Sequence, residues 1–272
     1  MKKRLLSLLE AATFYAVYLA SGVLSSVLFI VFALGWTIFE FISNHMSLQS
    51  DVFVERVTEL INSQMIVAVL FSNLIVILLY WLILWCRKQK LGEYTGLLPA
   101  KTLHVVGAMI AGLVLNVVVG CVLEQLPLPS DMIQEYAEGM EELLGGSFVV
   151  VLFTVAIVAP FVEEFVFRGA LLRALQNTLN TPVAVLLSSV LFAVAHVGPI
   201  QVTYAFVIGV LLCVVRLSSG SLWCSIAMHI AFNAANYIPV DASLYKISLF
   251  LAGCGVVFVA SFALACFRKK HP

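Results

Sequence analysis

Long, uninterrupted apolar runs constrain the fold of this chain more than any other feature. Eight runs approach or exceed the roughly 20 residues that a membrane-spanning helix needs, and they lie at about 12–42, 65–86, 103–123, 147–177, 182–197, 200–217, 220–238 and 246–267. The runs are continuous rather than alternating, which excludes barrel strands and leaves helices as the spanning structure. The sequence therefore predicts an all-α, polytopic transmembrane helical bundle with about eight spans.

The composition agrees with a membrane protein. Hydrophobic residues make up 62% of the 272 residues and charged residues 11%, and the mean hydropathy is +1.07. These values lie far outside the usual balance of soluble domains. No internal repeat, low-complexity tract or linker divides the sequence, so residues 1–272 are predicted to form a single integral-membrane domain.

The basic residues predict the orientation of the bundle. If the N-terminus is cytoplasmic and eight spans alternate, only Arg56 and Lys246 among the 15 Lys and Arg residues lie outside. Cytoplasmic connections are enriched in basic residues, so both chain ends are expected inside. The zero net charge indicates neither a nucleic-acid partner nor an acidic one. The six cysteines lack metal-ligand spacing and are not expected to form a disulfide framework.

Two outer connections, 51–64 and 130–144, show the apolar periodicity of amphipathic helices. Both are predicted to lie along the membrane surface, and packing against the bundle is the alternative. Pro160 falls inside the long fourth run, and because proline removes a backbone donor it predicts a kink there.

Three polar clusters interrupt the apolar sequence. They are Glu163-Glu164 with Arg168, then His196, then His229 with Asn233. Ionisable side chains at membrane depth are costly unless they face a protein interior or a wet cavity. Each cluster is therefore a candidate functional site.

Helical spacing separates the roles of the two glutamates. Glu164 and Arg168 are four residues apart and share a helix face, so they are predicted to form a buried ion pair. Glu163 points about 100° away and has no partner on its own helix. A buried carboxylate without a cation accepts a proton readily, which suits a general base. The alternative is a structural ion pair beside a satisfied core acid.

Simple distances along the chain bring the three clusters together. Glu163 lies ~15 residues before the 178–182 turn and His196 ~14 residues after it, so at 1.5 Å per residue both sit ~21–23 Å from the turn. His229 and Asn233 are four residues apart and point to one face. Taken singly, His196 would be interpreted as a structural histidine at a helix end. His229 and Asn233 would be interpreted as residues that connect neighbouring helices. Taken together, the four side chains can converge on one polar pocket.

Two kinds of chemistry use such a set. A carboxylate can activate water while imidazole and amide donors hold the oxyanion of an attacked carbonyl, which describes amide hydrolysis. Alternatively, Glu163, His196 and His229 are a plausible three-ligand zinc set. The HExxH, GxSG and GxGD motifs of other intramembrane hydrolases are absent from the sequence.

The same residues resemble a known family. Residues 163–169 read EExxxRG, 192–196 read FAxxH and 229–233 read HxxxN, in that order. They are similar to the motifs of the CAAX prenyl protease and bacteriocin-processing (CPBP, or Abi) family of intramembrane proteases. The resemblance covers about residues 150–236, the predicted catalytic core. It implies a catalytic centre of Glu163, His196, His229 and Asn233, with support from Glu164 and Arg168.

The resemblance also implies a cellular setting. It predicts a peptide or protein substrate, lipidated or embedded in the membrane, with membrane lipids as further partners, and a location in the cell membrane of a bacterium. The family was first proposed to depend on metal and later argued to be glutamate-dependent. The HxxxN spacing is not a helical histidine pair, so no cofactor is expected, with zinc as the alternative.

Two other functions stay open from the sequence. One is a non-catalytic bacteriocin-immunity or scaffold protein that retains the motifs. The other is a polytopic transporter with an ion site in the polar pocket. His229 lies ~9 residues, or ~13 Å, beyond Gly220. The centre is therefore expected nearer the cytoplasmic face and accessible from it.

Overall fold

The computed structural model describes residues 2–45, 50–144 and 147–237. This part of the chain is helical and contains no strand. Its helices are α1 (Lys2–Ser43), α2 (Ser50–Cys86), α3 (Leu91–Thr95), α4 (Thr102–Gln125), α5 (Ser130–Leu144), α6 (Phe148–Gln176), α7 (Thr181–Ala193), α8 (Pro199–Ser219) and α9 (Leu222–Ala235).

The predicted helical membrane bundle is confirmed over this part. By length and composition, five of its helices can cross a membrane: α1, α2, α4, α6 and α8. The fifth and seventh predicted spans are shorter than expected, because α7 has 13 residues and α9 has 14. At 1.5 Å per residue, neither reaches the ~30 Å of a hydrocarbon core. The eighth predicted span, 246–267, lies outside the described residues.

The segment 51–64 does not form the separate surface helix that its periodicity predicts. It is the first part of α2, which continues without a break to Cys86. Arg56 donates hydrogen bonds to Glu40 of α1 and to Glu59, so this part of α2 is tied to α1. On the apolar face that suggested a membrane surface, Phe53 packs on Phe41 of α1 with ring centroids 5.6 Å apart, whereas Val54 stays 61% exposed.

The segment 130–144 is a separate helix, α5, as the sequence predicts. Acidic side chains alternate with apolar ones along it. The ring of Tyr136 meets the ring of Tyr204 on α8, with centroids 6.4 Å apart. Part of its apolar face therefore contacts the bundle.

Helix α6 forms the centre of the bundle, and its residues 164–172 are all buried. Glycines allow the surrounding helices to approach closely. A Cβ on Gly112 of α4 would lie 2.1 Å from the carbonyl oxygen of Met228 on α9, and a Cβ on Gly209 of α8 would lie 3.3 Å from Arg168 Nη2. Close backbone packing thus surrounds the functional part of α6.

One end of the bundle, named here the basic end, contains α3 and the turns after α6 and α8. Arg173 on α6 donates to the carbonyl oxygens of Glu93 and Tyr94, at 2.7 Å each. The Leu222 amide donates to the Gly96 carbonyl at 2.8 Å, which anchors the start of α9. The opposite end, named the acidic end, contains α5 and the turn between α7 and α8.

Candidate active site

Two π-helical turns shape the middle of α6. They span Leu152–Val158 and Phe165–Leu171, on either side of the α-helical segment Ala159–Glu164. Turns of this kind are frequent at functional sites. Since π turns change which residues share a face, they set the directions in which Glu163 and Glu164 point.

Pro160 accounts for a hydrogen bond between α6 and α9. In the first π turn the Ala159 amide donates to the Thr154 carbonyl. The next donor in this register would be the amide of residue 160, which proline lacks. The Val155 carbonyl therefore takes a side-chain donor, Nδ2 of Asn233, at 2.9 Å. A π turn thus lies just before Pro160, where the sequence predicts a kink. The side-chain amide of Asn233 donates the hydrogen bond that the proline cannot supply.

The predicted ion pair within α6 is confirmed. Arg168 Nη1 lies 2.7 Å from Glu164 Oε1, and both side chains are fully buried. Arg168 Nη2 also donates to the Gly209 carbonyl at 3.1 Å. The guanidinium carbon lies 4.1 Å from the ring centroid of Phe192, a cation–π contact. The charge of Arg168 is therefore balanced on one side and packed on an aromatic face on the other.

Glu164 also holds His229. The Nδ1 atom of His229 lies 3.1 Å from the same Glu164 oxygen that binds Arg168. A carboxylate accepts, so Nδ1 is the donor, and in a neutral ring Nε2 keeps its lone pair. Nε2 faces Glu163 Oε2 at 3.7 Å. The sequence predicted the pairing of Glu164 with Arg168. The structure adds this contact with His229, which lies 65 positions further along the chain.

His196 lies in the turn three residues after α7 and not within a helical span as predicted. Its Nδ1 atom lies 2.8 Å from the Phe192 carbonyl oxygen. Because a carbonyl can only accept, Nδ1 carries the proton and Nε2 is again the atom left to act in a neutral ring. The backbone thus orients His196 in the way that a carboxylate orients His229.

Phe192 lines the central cavity and contacts three site residues, and the sequence analysis gave it no role. Its ring makes edge contacts with His196 at 4.6 Å and with His229 at 5.8 Å between centroids. Its face carries the guanidinium of Arg168. The available signal was its position four residues before His196, which places both side chains on one helix face.

The structure brings the four predicted catalytic residues to one cavity of about 170 Å³, named here the central cavity. Glu164 and Arg168 are not among the residues that line it, in agreement with a supporting position. The sequence analysis did not identify the remaining lining residues, which are Val69, Met140, Val155, Ala159, Phe192, Gln201, Tyr204, Ala205, Ile208, Phe232 and Asn236.

The position of the central cavity differs from the expectation. Its wall includes Met140 of α5, Gln201 at the start of α8 and Asn236 after α9, all toward the acidic end. Among the described residues, none of those lining it belongs to the basic-end connections 87–101 or 216–221. The residues that line this cavity therefore do not support the expected access from the basic, predicted cytoplasmic side. Counting from Gly220 alone ignored where α5 and the turn after α7 fold.

Two further cavities adjoin the central one. A cavity of about 320 Å³, named the polar cavity, contains serines of α1 and α2 in its wall, and it shares Val69, Ala159 and Glu163 with the central cavity. A cavity of about 340 Å³, named the apolar cavity, is bounded by α2, α5 and the turn before α8, and it shares Val69, Met140 and Gln201. Val69 is in the walls of all three cavities, and Glu163 is in the walls of the central and polar cavities.

The alternative zinc set does not assemble as a ligand group. Glu163, His196 and His229 line the same cavity. In the part of the chain that the structure describes, however, no three His, Cys, Asp or Glu side chains are gathered closely enough to hold a metal ion. The arrangement contains proton acceptors at Glu163 and at both Nε2 atoms. It is suited to proton transfer to and from a small polar molecule between them.

Comparison with known proteins agrees with the motifs. Residues 145–235 match the family described as type II CAAX prenyl endopeptidase Rce1-like. This confirms the family resemblance over the stretch that contains all six site residues. No curated protein and no solved structure matches the chain.

Proposed function

We propose that this chain is an intramembrane endopeptidase that hydrolyses a peptide bond with a water molecule activated by Glu163. The observation that supports it most is the 3.7 Å approach of Glu163 Oε2 to His229 Nε2 at the wall of the central cavity. The match to Rce1-like endopeptidases over residues 145–235 supports the same reaction class. The apolar helices support a multi-pass membrane location.

In the proposed mechanism, Glu163 accepts a proton from the attacking water. A base must lie within hydrogen-bond reach of that proton, directly or through one water. The gap of 3.7 Å between Glu163 and His229 allows a water to contact both groups after a small shift. As the water oxygen attacks the carbonyl carbon, the carbonyl becomes an oxyanion.

His229 is the proposed carrier of the water proton from Glu163 to the leaving amine, and this transfer returns Glu163 to its carboxylate form. Its neutral Nε2 can accept a proton, and the imidazolium that forms is stabilised by Glu164 at Nδ1. This changes the role expected from the sequence, because a neutral Nε2 cannot donate to an oxyanion. When protonated, the same atom can donate to the oxyanion or to the amine nitrogen.

The oxyanion donors proposed for the site are Asn233 and His196. The Asn233 amide has two N–H groups, and one of them bonds to the Val155 carbonyl. The other remains for a substrate oxygen. His196 needs a proton on Nε2 to act as a donor, since its Nδ1 proton already bonds to the Phe192 carbonyl.

The proposed reaction uses no metal, and zinc held by Glu163, His196 and His229 is the alternative. One observation favours that alternative. Zinc-binding histidines usually donate their second ring N–H to a carboxylate or a backbone carbonyl, as both histidines do here. Metal analysis of purified active protein separates the two. Stoichiometric zinc that is lost together with activity and restores it on return would overturn the metal-free mechanism.

The proposed substrate is a peptide or protein segment, lipidated or embedded in the membrane, and the proposed location is a bacterial cell membrane. The apolar cavity beside the site is compatible with an apolar chain on the substrate. No nucleic-acid partner is proposed, because the chain has no net charge to attract one.

The test uses purified full-length protein and matched peptides with and without a prenyl group. Products are identified by mass. Cleavage that is retained by Arg87→Gln but lost in Glu163→Gln supports the proposal. Arg87 serves as the control because its pair with Glu10 lies at the basic end of the bundle. Binding of peptides without any product would instead favour a non-catalytic scaffold.

A further inference from the structure

The polar cavity reaches Glu163 from the side of α1 and α2. It lies between α1, α2 and α6, and Glu163 is in its wall as well as in the wall of the central cavity. The two cavities therefore meet at the carboxylate. The same carboxylate lies 3.7 Å from His229 Nε2.

The side chains of α1 and α2 make this cavity suitable for water. Ser25 donates to the Ala68 carbonyl at 2.8 Å, and Ser26 to the Gly22 carbonyl at 3.0 Å. Asn73 donates its amide to the Val69 carbonyl at 2.9 Å. Because these donors bond to the backbone, lone pairs on the side-chain oxygens remain to accept from water. The cavity, at about 320 Å³, has room for several waters.

Adhesion between helices does not account for all of these polar groups. The hydroxyl of Ser25 joins α1 to α2, which is a common use of serine in membranes. The hydroxyl of Ser26 bonds within its own helix and joins nothing. Even so, both serines line the same space as Glu163.

A hydrolase buried in a membrane needs a supply of water that its substrate does not block. The central cavity is the smaller space, at about 170 Å³, and Phe192, Ile208 and Phe232 form part of its wall. A peptide bound there would displace the water from it. The attacking water must then come from elsewhere.

We infer that the polar cavity between α1 and α2 is the route by which water reaches Glu163 while substrate occupies the central cavity. The inference depends on the proposed function. It assigns a role to α1 and α2, which lie outside the stretch that matches the family model.

Gly22 and Gly35 provide a matched pair of test positions. Gly22 lines the polar cavity and Gly35 does not, although both lie on α1. At either position a new Cβ would meet nothing within 4 Å. Gly22→Leu should therefore add side-chain volume to the cavity wall with no clash at its Cβ, and Gly35→Leu should make the same substitution away from the cavity.

The first measurement does not require proteolysis. In full-length protein with its six cysteines replaced, Glu163→Cys should react with a small, cationic thiosulfonate reagent, because thiolate forms only where water is present. Adding Gly22→Leu should slow this reaction several-fold, and adding Gly35→Leu should not. No reaction at position 163, or equal rates in both leucine variants, would overturn the inference.

The second measurement uses the native cysteines and active protein. Gly22→Leu should lower kcat several-fold with little change in KM, while Gly35→Leu should match the wild type. A raised KM or a shifted cleavage site in Gly22→Leu would make the polar cavity a substrate subsite and overturn the water route. If the wild type cleaves no peptide, the proposed function fails, and the thiol measurement still decides whether water reaches Glu163 through this cavity.

Discussion

Replacing Arg168 with methionine should destabilise the protein strongly, because it leaves a buried carboxylate without its cation. Arg168 Nη1 lies 2.7 Å from Glu164 Oε1, and neither side chain is exposed. Breaking a buried ion pair on one side costs about 3–5 kcal/mol. At about 2–4 °C per kcal/mol for a chain near this size, Tm should fall by roughly 6–20 °C.

Removing both charges together should cost much less. A buried pair replaced by apolar side chains of similar volume is often neutral in stability. The double variant Glu164→Leu/Arg168→Met still loses the cation–π contact with Phe192, at 4.1 Å, which is worth about 0.5–2 kcal/mol. Its Tm should therefore lie well above that of Arg168→Met.

The double variant should nevertheless be inactive, because His229 loses the acceptor of its Nδ1 proton. Thermal unfolding of detergent-solubilised protein, followed by tryptophan fluorescence, measures the stabilities, and peptide cleavage measures the activities. The reasoning is refuted if Arg168→Met unfolds within about 2 °C of the wild type. It is equally refuted if the double variant is no more stable than the single one.

Three further predictions concern individual residues of the site. Glu163→Gln should leave expression and Tm unchanged and abolish cleavage, because it removes the base; an unfolded Glu163→Gln beside a stable, inactive Glu164→Gln would reverse the two roles. Asn233→Ala should cost about 1–3 kcal/mol of stability, seen as a lower Tm, because the Val155 carbonyl loses its donor; an unchanged Tm would contradict this. Phe192→Leu should lower kcat/KM, because both histidine rings lose their edge contact. Expressed as a free energy, this loss should exceed the loss of stability measured from Tm; unchanged kinetics would show that the ring does not position the histidines.

The parts of the site that follow the helical period could be predicted from the sequence. The spacing of Glu164 and Arg168 places them on one face, and their ion pair is present. Counting residues from the 178–182 turn placed Glu163 and His196 at one depth, and both line the central cavity. This held although α7 ends at Ala193.

Contacts between distant residues could not be predicted in this way. The bond of Glu164 to His229 depends on how α9 packs against α6, and the bond of Asn233 to Val155 depends on a π turn. Residue preferences do not distinguish π turns from the α-helix around them. Pro160 was the available signal, and it predicted a kink without showing which side chain would replace the lost hydrogen bond.

Amphipathic periodicity also left two structures open at 51–64. An apolar helix face can contact lipid or another helix, and the pattern is the same in both cases. The structure shows the second case for Phe53, whose ring packs on Phe41 of α1 with centroids 5.6 Å apart, and Arg56 adds a bond to Glu40 across α1 and α2. Pairing of that kind connects elements that the sequence alone does not place side by side.

The location of the site gives a final prediction about topology. Glu163 lies 13 residues, or ~20 Å, from the end of α6 at Gln176, and α5 and the turn before α8 contribute to the wall of its cavity. If the N-terminus is cytoplasmic, as the basic residues predict, these wall residues lie toward the outer side. Single cysteines at Ser219 and Gln89 should then react with a membrane-impermeant reagent only after the inner face is exposed, whereas one at Glu138 should react in intact cells. Reaction of position 219 from outside would invert the topology, and the cavity residues of α5 and of the turn before α8 would then lie toward the cytoplasm.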